Sequence, residues 1–156
     1  MPLKTKYILL LCLCGIGLQP LFGQLIPGVE DEIGGFWVGI LKQNAGGYAD
    51  EFELTLNLEA RGGSVDGTAY VALGEIQAEM AITGQRLPNG SWSLWETRII
   101  RSQEPEHLSW CLKGFELSIH WNSDGDLVLT GPWWGSTQWG PCVPGFITLK
   151  RPKDRA

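Results

Sequence analysis

The stretch Gly131–Gly145 packs three tryptophans, four glycines and three prolines into fifteen residues. No other part of the chain is so plainly equipped to hold a ligand. A flat indole face stacks on the apolar face of a sugar ring or covers an apolar molecule, while Ser136, Thr137 and Gln138 supply hydrogen bonds. Trp133, Trp134, Gln138 and Trp139 are therefore candidate ligand contacts. The competing reading is that the same tryptophans pack down as a lid, because a small domain needs core area. A second candidate lies in Ser91–Arg101. Alternation puts Trp92, Leu94, Glu96, Arg98 and Ile100 on one face and Ser93, Trp95, Thr97, Ile99 and Arg101 on the other. If the first face turns inward, Glu96 and Arg98 can pair inside the fold and receive a polar group, since a buried charge must find a partner. If it turns outward they are a solvated pair. Trp95 completes the candidate ligand set.

Catalytic signatures are sparse. The chain has no His-Glu-x-x-His and no phosphate-binding glycine loop ending in Lys-Ser/Thr, and no Cys-x-x-Cys follows the first two dozen residues. Gly63-Ser64-Val65-Asp66-Gly67 has the flanking glycines of a nucleophile elbow but sits between alternating segments, where a hairpin is expected instead of a strand-to-helix turn. His107 and His120 are the only histidines, and acidic residues such as Glu51, Glu53, Glu75 and Glu79 show no pairing in the sequence. The expectation is a non-enzyme with no cofactor and no metal.

Lys4 and Lys6 precede an apolar run from Tyr7 to Leu18, and Gln19–Gly23 breaks it and offers a small residue. These are the three regions of a signal peptide, here 1–23, and a run of about a dozen residues is short for the ~30 Å of a bilayer core. Its removal takes two lysines and no acids from a chain with 12 basic and 17 acidic residues, leaving a net charge of −7. Such a surface repels phosphate backbones and anionic lipid, so neither nucleic acid nor stable membrane insertion is expected. Cys111 and Cys142 are then the only cysteines, and an even pair in an oxidising compartment reads as one disulfide. Two free thiols remain the rival. The expected location is secreted, periplasmic or cell envelope.

The elements that must carry these groups are strands. Phe52, Leu54, Leu56 and Leu58 alternate with polar residues, as do Ile76, Ala78, Met80 and Ile82, and again Phe115, Leu117, Ile119 and Trp121. Turn residues separate them at Gly46-Gly47, Gly62-Gly63, Pro88-Asn89-Gly90 and Asn122–Asp126. The pattern predicts strands near 36–43, 50–60, 65–73, 75–84, 91–101, 108–121, 126–133 and 145–151, with a long loop after Trp133. It predicts an all-β fold, an antiparallel up-and-down barrel of about eight strands, closed so as to leave no edges; a two-sheet sandwich is the alternative. The organisation is a leader over 24–34, one domain over 35–151 and a charged tail over 152–156.

Gly35-Phe36-Trp37, at the head of the first strand, resembles the Gly-x-Trp signature of the calycin group of lipocalins, fatty-acid-binding proteins and avidins. Gly63–Tyr70 is similar to the third strand of avidin-like barrels. The resemblance implies that Trp37 plugs one end of a barrel beneath a basic residue of the last strand, Lys150 or Arg151, through a cation–π contact. The polar biotin contacts of avidins do not align, so no ligand is carried over. Trp37–Gln43 also resembles small secreted domains of bacteria of the Bacteroidetes group. Together the readings predict a secreted, non-catalytic binding domain with an apolar small molecule or carbohydrate at the barrel mouth and the tryptophan-rich loop. The alternative is an extracellular or cell-envelope module that meets another protein.

Overall fold

The computed structural model describes residues 32–153. The signal segment 1–23, the leader as far as residue 31 and the last three residues of the charged tail lie outside the described residues. Among the described residues nine strands form, β1 Gly35–Gln43, β2 Glu51–Arg61, β3 Ser64–Leu73, β4 Ile76–Arg86, β5 Trp92–Gln103, β6 Leu112–Trp121, β7 Leu127–Thr137, β8 Gly140–Pro141 and β9 Gly145–Lys150. Each hairpin partner follows in sequence, β6 pairs with β7, and β9 lies between β7 and β1. The eight long strands thus close into one antiparallel barrel, with β8 as a short appendage to β7. Closure, and not a two-sheet sandwich, satisfies both edges that a meander would leave bare.

The alternation read from the sequence becomes the inside of the barrel. Leu54, Leu56 and Leu58 of β2, Met80 and Ile82 of β4, Phe115 and Leu117 of β6, and Ile147 and Leu149 of β9 are all buried. Trp121 continues the inward phase of β6 yet is 67% exposed, because it stands at the strand end beyond the packed interior.

Two parts of the chain depart from expectation. Residues 108–111 are not strand, so β6 starts only at Leu112. The expected loop after Trp133 is strand as far as Thr137, followed by a tight turn at Gln138-Trp139. Pro132 is tolerated because the β6–β7 ladder skips Gly131 and Pro132, so its missing N–H interrupts nothing there.

Turns 62–63, 87–91 and 122–126 share one end of the barrel with the N-terminal residues 32–34. Segments 44–50, 74–75, 104–111 and 138–144 form the other end, the mouth.

Candidate functional site

At the plugged end Trp37 is fully buried and donates from Nε1 to the Ile33 carbonyl at 2.8 Å. The Arg151 guanidinium lies 4.7 Å from the Trp37 ring centroid, and its Nη2 donates to the carbonyls of Glu32 at 2.7 Å and Gly34 at 2.6 Å. The cation is thus held by a ring face below and by backbone oxygens at the side. Ile33, inside the segment assigned to the leader, is itself fully buried in the core. Lys150 points elsewhere: with Lys153 it pairs with Asp126, at 2.9 and 2.7 Å. Those two lysines hold the Asp126 carboxyl down at about 2, the hydrogen bond from Lys153 contributing most.

At the mouth the disulfide between Cys111 and Cys142, with Cα atoms 6.4 Å apart, ties segment 104–111 to the chain just after β8. The interior here is nearly full. A half-open cavity of about 60 Å³ remains, walled by Leu41, Phe52, Val71, Trp110 and Trp133, with Lys113 at its side. Room for a few waters is far below the several hundred Å³ of an ordinary ligand pocket. Trp133 is 2% exposed and donates from Nε1 to the Lys42 carbonyl at 2.8 Å. It is a wall of the core, withdrawn from outer contacts.

Glu96 does turn inward with Trp92 and Leu94, but Arg98 does not follow. The β4–β5 register passes from Ile82↔Glu96 to Ala81↔Arg98, so Thr97 is an extra residue, and a second shift makes Ile100 another. Such bulges break the two-residue period, and Arg98 is exposed. Neither a buried nor a solvated Glu96–Arg98 pair forms: the partner of Glu96 is Lys113, whose ammonium lies 2.9 Å from Glu96 Oε2, with both side chains almost completely buried. Lys113 Nζ also donates to the Cys111 carbonyl at 3.1 Å. Glu96 Oε1 has no hydrogen-bond partner among the described residues. Burial pushes the Glu96 carboxyl above its ordinary value, against the attraction of Lys113. Lys113 was legible in the sequence, since it shares the inward phase of Phe115 and Leu117.

The same carboxylate opens the wall. Strands β5 and β6 pair only from Trp92↔Leu117 to Trp95↔Gly114. At the next position the Lys113 amide donates to Glu96 Oε2 at 2.9 Å, so a side chain takes the place of the next backbone acceptor. Above that point β5 runs on beside β4 alone, and Thr97–Gln103 are all exposed. A groove of about 400 Å³ fills the split, lined among others by Ile99, Glu104, Trp110, Leu112, Ser136 and Gln138. Trp110 donates from Nε1 to the Glu104 carboxylate at 3.1 Å, which fixes this indole in the groove wall.

Directly below the groove, register sets Trp95, Gly114 and Trp134 in one row across β5, β6 and β7. Trp95 is 41% and Trp134 50% exposed, both on the outer wall. Their Cα atoms are separated by two strand spacings, about 10 Å. Gly114 makes the arrangement possible: a Cβ there would come within 2.8 Å of Trp134 Nε1, so the indole lies across the bare backbone. Trp139 is 80% exposed at the β7–β8 turn. Of the residues singled out in sequence, Trp95 and Trp134 are therefore brought together beneath Gln138, Glu96 is buried behind them, Trp133 is withdrawn into the core, and Arg98 is exposed but does not line the groove. No family model matches the chain, and neither a curated protein nor a solved structure matches it.

Proposed function

We propose that this protein is a non-catalytic carbohydrate-binding domain whose contact surface is the outer wall of the barrel and not its interior. The observation that carries this reading is the pair of exposed indoles, Trp95 and Trp134, flanking Gly114. The solvent-facing part of each ring gains nothing for the fold, whereas two such faces beside a residue without a side chain suit the C–H face of a pyranose. The small mouth cavity weighs against an apolar ligand swallowed by the barrel. The tightly packed plugged end, with Arg151 over Trp37, supports the calycin resemblance as a matter of architecture and carries no ligand with it. The disulfide and the acidic balance fit a role outside the cytoplasm.

Tryptophan fluorescence of the oxidised protein, titrated with soluble oligosaccharides and separately with fatty-acid-like ligands, tests this. A saturable change with sugars is expected, abolished in Trp134→Ala and in Trp95→Ala with thermal unfolding almost unmoved. A response only to apolar ligands, undisturbed by either substitution, overturns it. A second reading, a protein-interaction module, draws on one observation: the exposed edge Thr97–Gln103, with Ile99 and Ile100 each about two-fifths exposed, lacks a strand partner on the β6 side among the described residues. An added strand from another protein would complete it. Hydrogen exchange of Thr97–Gln103 that slows on mixing with an envelope extract, and is unaffected by sugars, would favour this reading.

A further inference from the structure

Resting on the carbohydrate reading, we infer that the ligand is a neutral glycan of several linked sugars, held at two connected subsites, the indole platform and the groove above it. Continuity comes from the register. Leu112↔Ser136 lies one pleat above Gly114↔Trp134 on the same outer face, and both Leu112 and Ser136 line the groove. From Trp134 to Thr137, the end of β7, the strand advances three residues, about 10 Å, which one pyranose ring does not cover. Along that line the surface changes in kind. The platform is flat and aromatic, while the groove offers the hydroxyls of Ser109, Ser136 and Thr137 and the amide of Gln138 between the apolar flanks of Ile99 and Trp110. Such a sequence of surfaces matches a chain of sugars, stacked at one end and hydrogen-bonded along its edges at the other.

Charge selects neutral chains. The groove lining contains no basic side chain, and its one ionisable group, the Glu104 carboxylate, already accepts from Trp110. Glu116, exposed in the row just below the platform, adds a second negative charge. A polyuronate or sulfated chain would meet carboxylates with no cation in the groove to offset them.

The test is calorimetric titration of the oxidised protein with one neutral glycan as mono-, di-, tri- and tetrasaccharide, and with a polyuronate of matched length. Affinity is expected to rise about tenfold from one to three units and then level off. The polyuronate should bind more weakly than the neutral chain at low salt. Ser136→Phe, an exposed position that fills the groove, should abolish the gain in affinity with length. Trp134→Ala should remove binding at every length. Equal affinity for one and three units, or a polyuronate that binds more tightly, overturns the two-subsite inference and leaves the platform reading standing. Failure of every sugar to bind overturns both.

Discussion

Two cations are drawn into this barrel, Arg151 half-buried at the plugged end and Lys113 buried toward the mouth, and they are held in opposite ways. Arg151 sits on an aromatic face and donates from Nη2 to two backbone carbonyls, while its Nε has no hydrogen-bond partner among the described residues, so no second charge had to be taken out of water. Lys113 is matched by a buried carboxylate that is itself short of one partner. The first arrangement closes the barrel: Trp37, Ile33 and Arg151 lock into one packed plug. The second opens it, because the oxygen that neutralises Lys113 also captures the Lys113 amide and ends the β5–β6 ladder. The comparison teaches that the plugged end is built for stability, whereas the split end accepts a desolvated ion pair in exchange for an exposed groove. A buried pair of this kind adds little net stability, although removing one member is severe.

The sharpest way to break the comparison is Lys113→Met. It leaves Glu96 uncompensated and should lower the unfolding free energy at pH 7 by about 3–5 kcal/mol, read from urea denaturation. Glu96→Gln with Lys113→Met keeps an acceptor for the residue-113 amide and should recover most of the loss. The pH dependence has a definite sign. Burial holds the Glu96 carboxyl above 4.5, so its proton favours the folded state, most fully below 4.5 and progressively less as pH rises through the folded value. The Lys113→Met deficit should therefore shrink as the pH is lowered toward 4.5; a deficit that grows would mean that Glu96 is not the group left stranded.

Arg151→Ala should be milder, about 2 kcal/mol, because it deletes two charge-assisted hydrogen bonds and a ring contact without stranding a charge. It should leave sugar binding at Trp134 unaltered, and equal losses in stability and binding would dissolve the distinction between the two ends. The smallest effect belongs to Asp126, in the turn at the plugged end. Its carboxyl titrates near 2 in the folded protein, against an ordinary value of 3.8. Its contribution is thus present above 3.8 and lost as pH falls toward 2. Asp126→Asn should shift the urea midpoint slightly at pH 6 and not at pH 2, since its partners Lys150 and Lys153 are exposed and their attraction is screened by solvent.

Much of the architecture was legible in the residues. Alternation in β2, β4 and β6 marked the inward faces, and glycine-bearing turns marked their ends. The tryptophan-rich stretch misled because proline and glycine were read as loop punctuation: Pro132 sits at a gap in one ladder, and the strand continues to Thr137. The Glu96–Arg98 pairing failed at a bulge, which inserts one residue without any mark in the pattern of types. Lys113, by contrast, carried a signal of its own, a lysine in the phase of Phe115 and Leu117.

By itself the sequence determined the inward faces of β2, β4 and most of β6, because a strand's two faces follow from a period of two and water drives the apolar face together. Barrel closure followed almost as directly, since a meander of this length must hide two edges. Only the tertiary structure decided which tryptophans face solvent and which neighbours they meet. Trp95 and Trp134 stand 39 residues apart, and their meeting over Gly114 depends on the register of three strands. Register is set by the whole packed interior and by the ion pair that ends one ladder, neither of which a local stretch of residues contains.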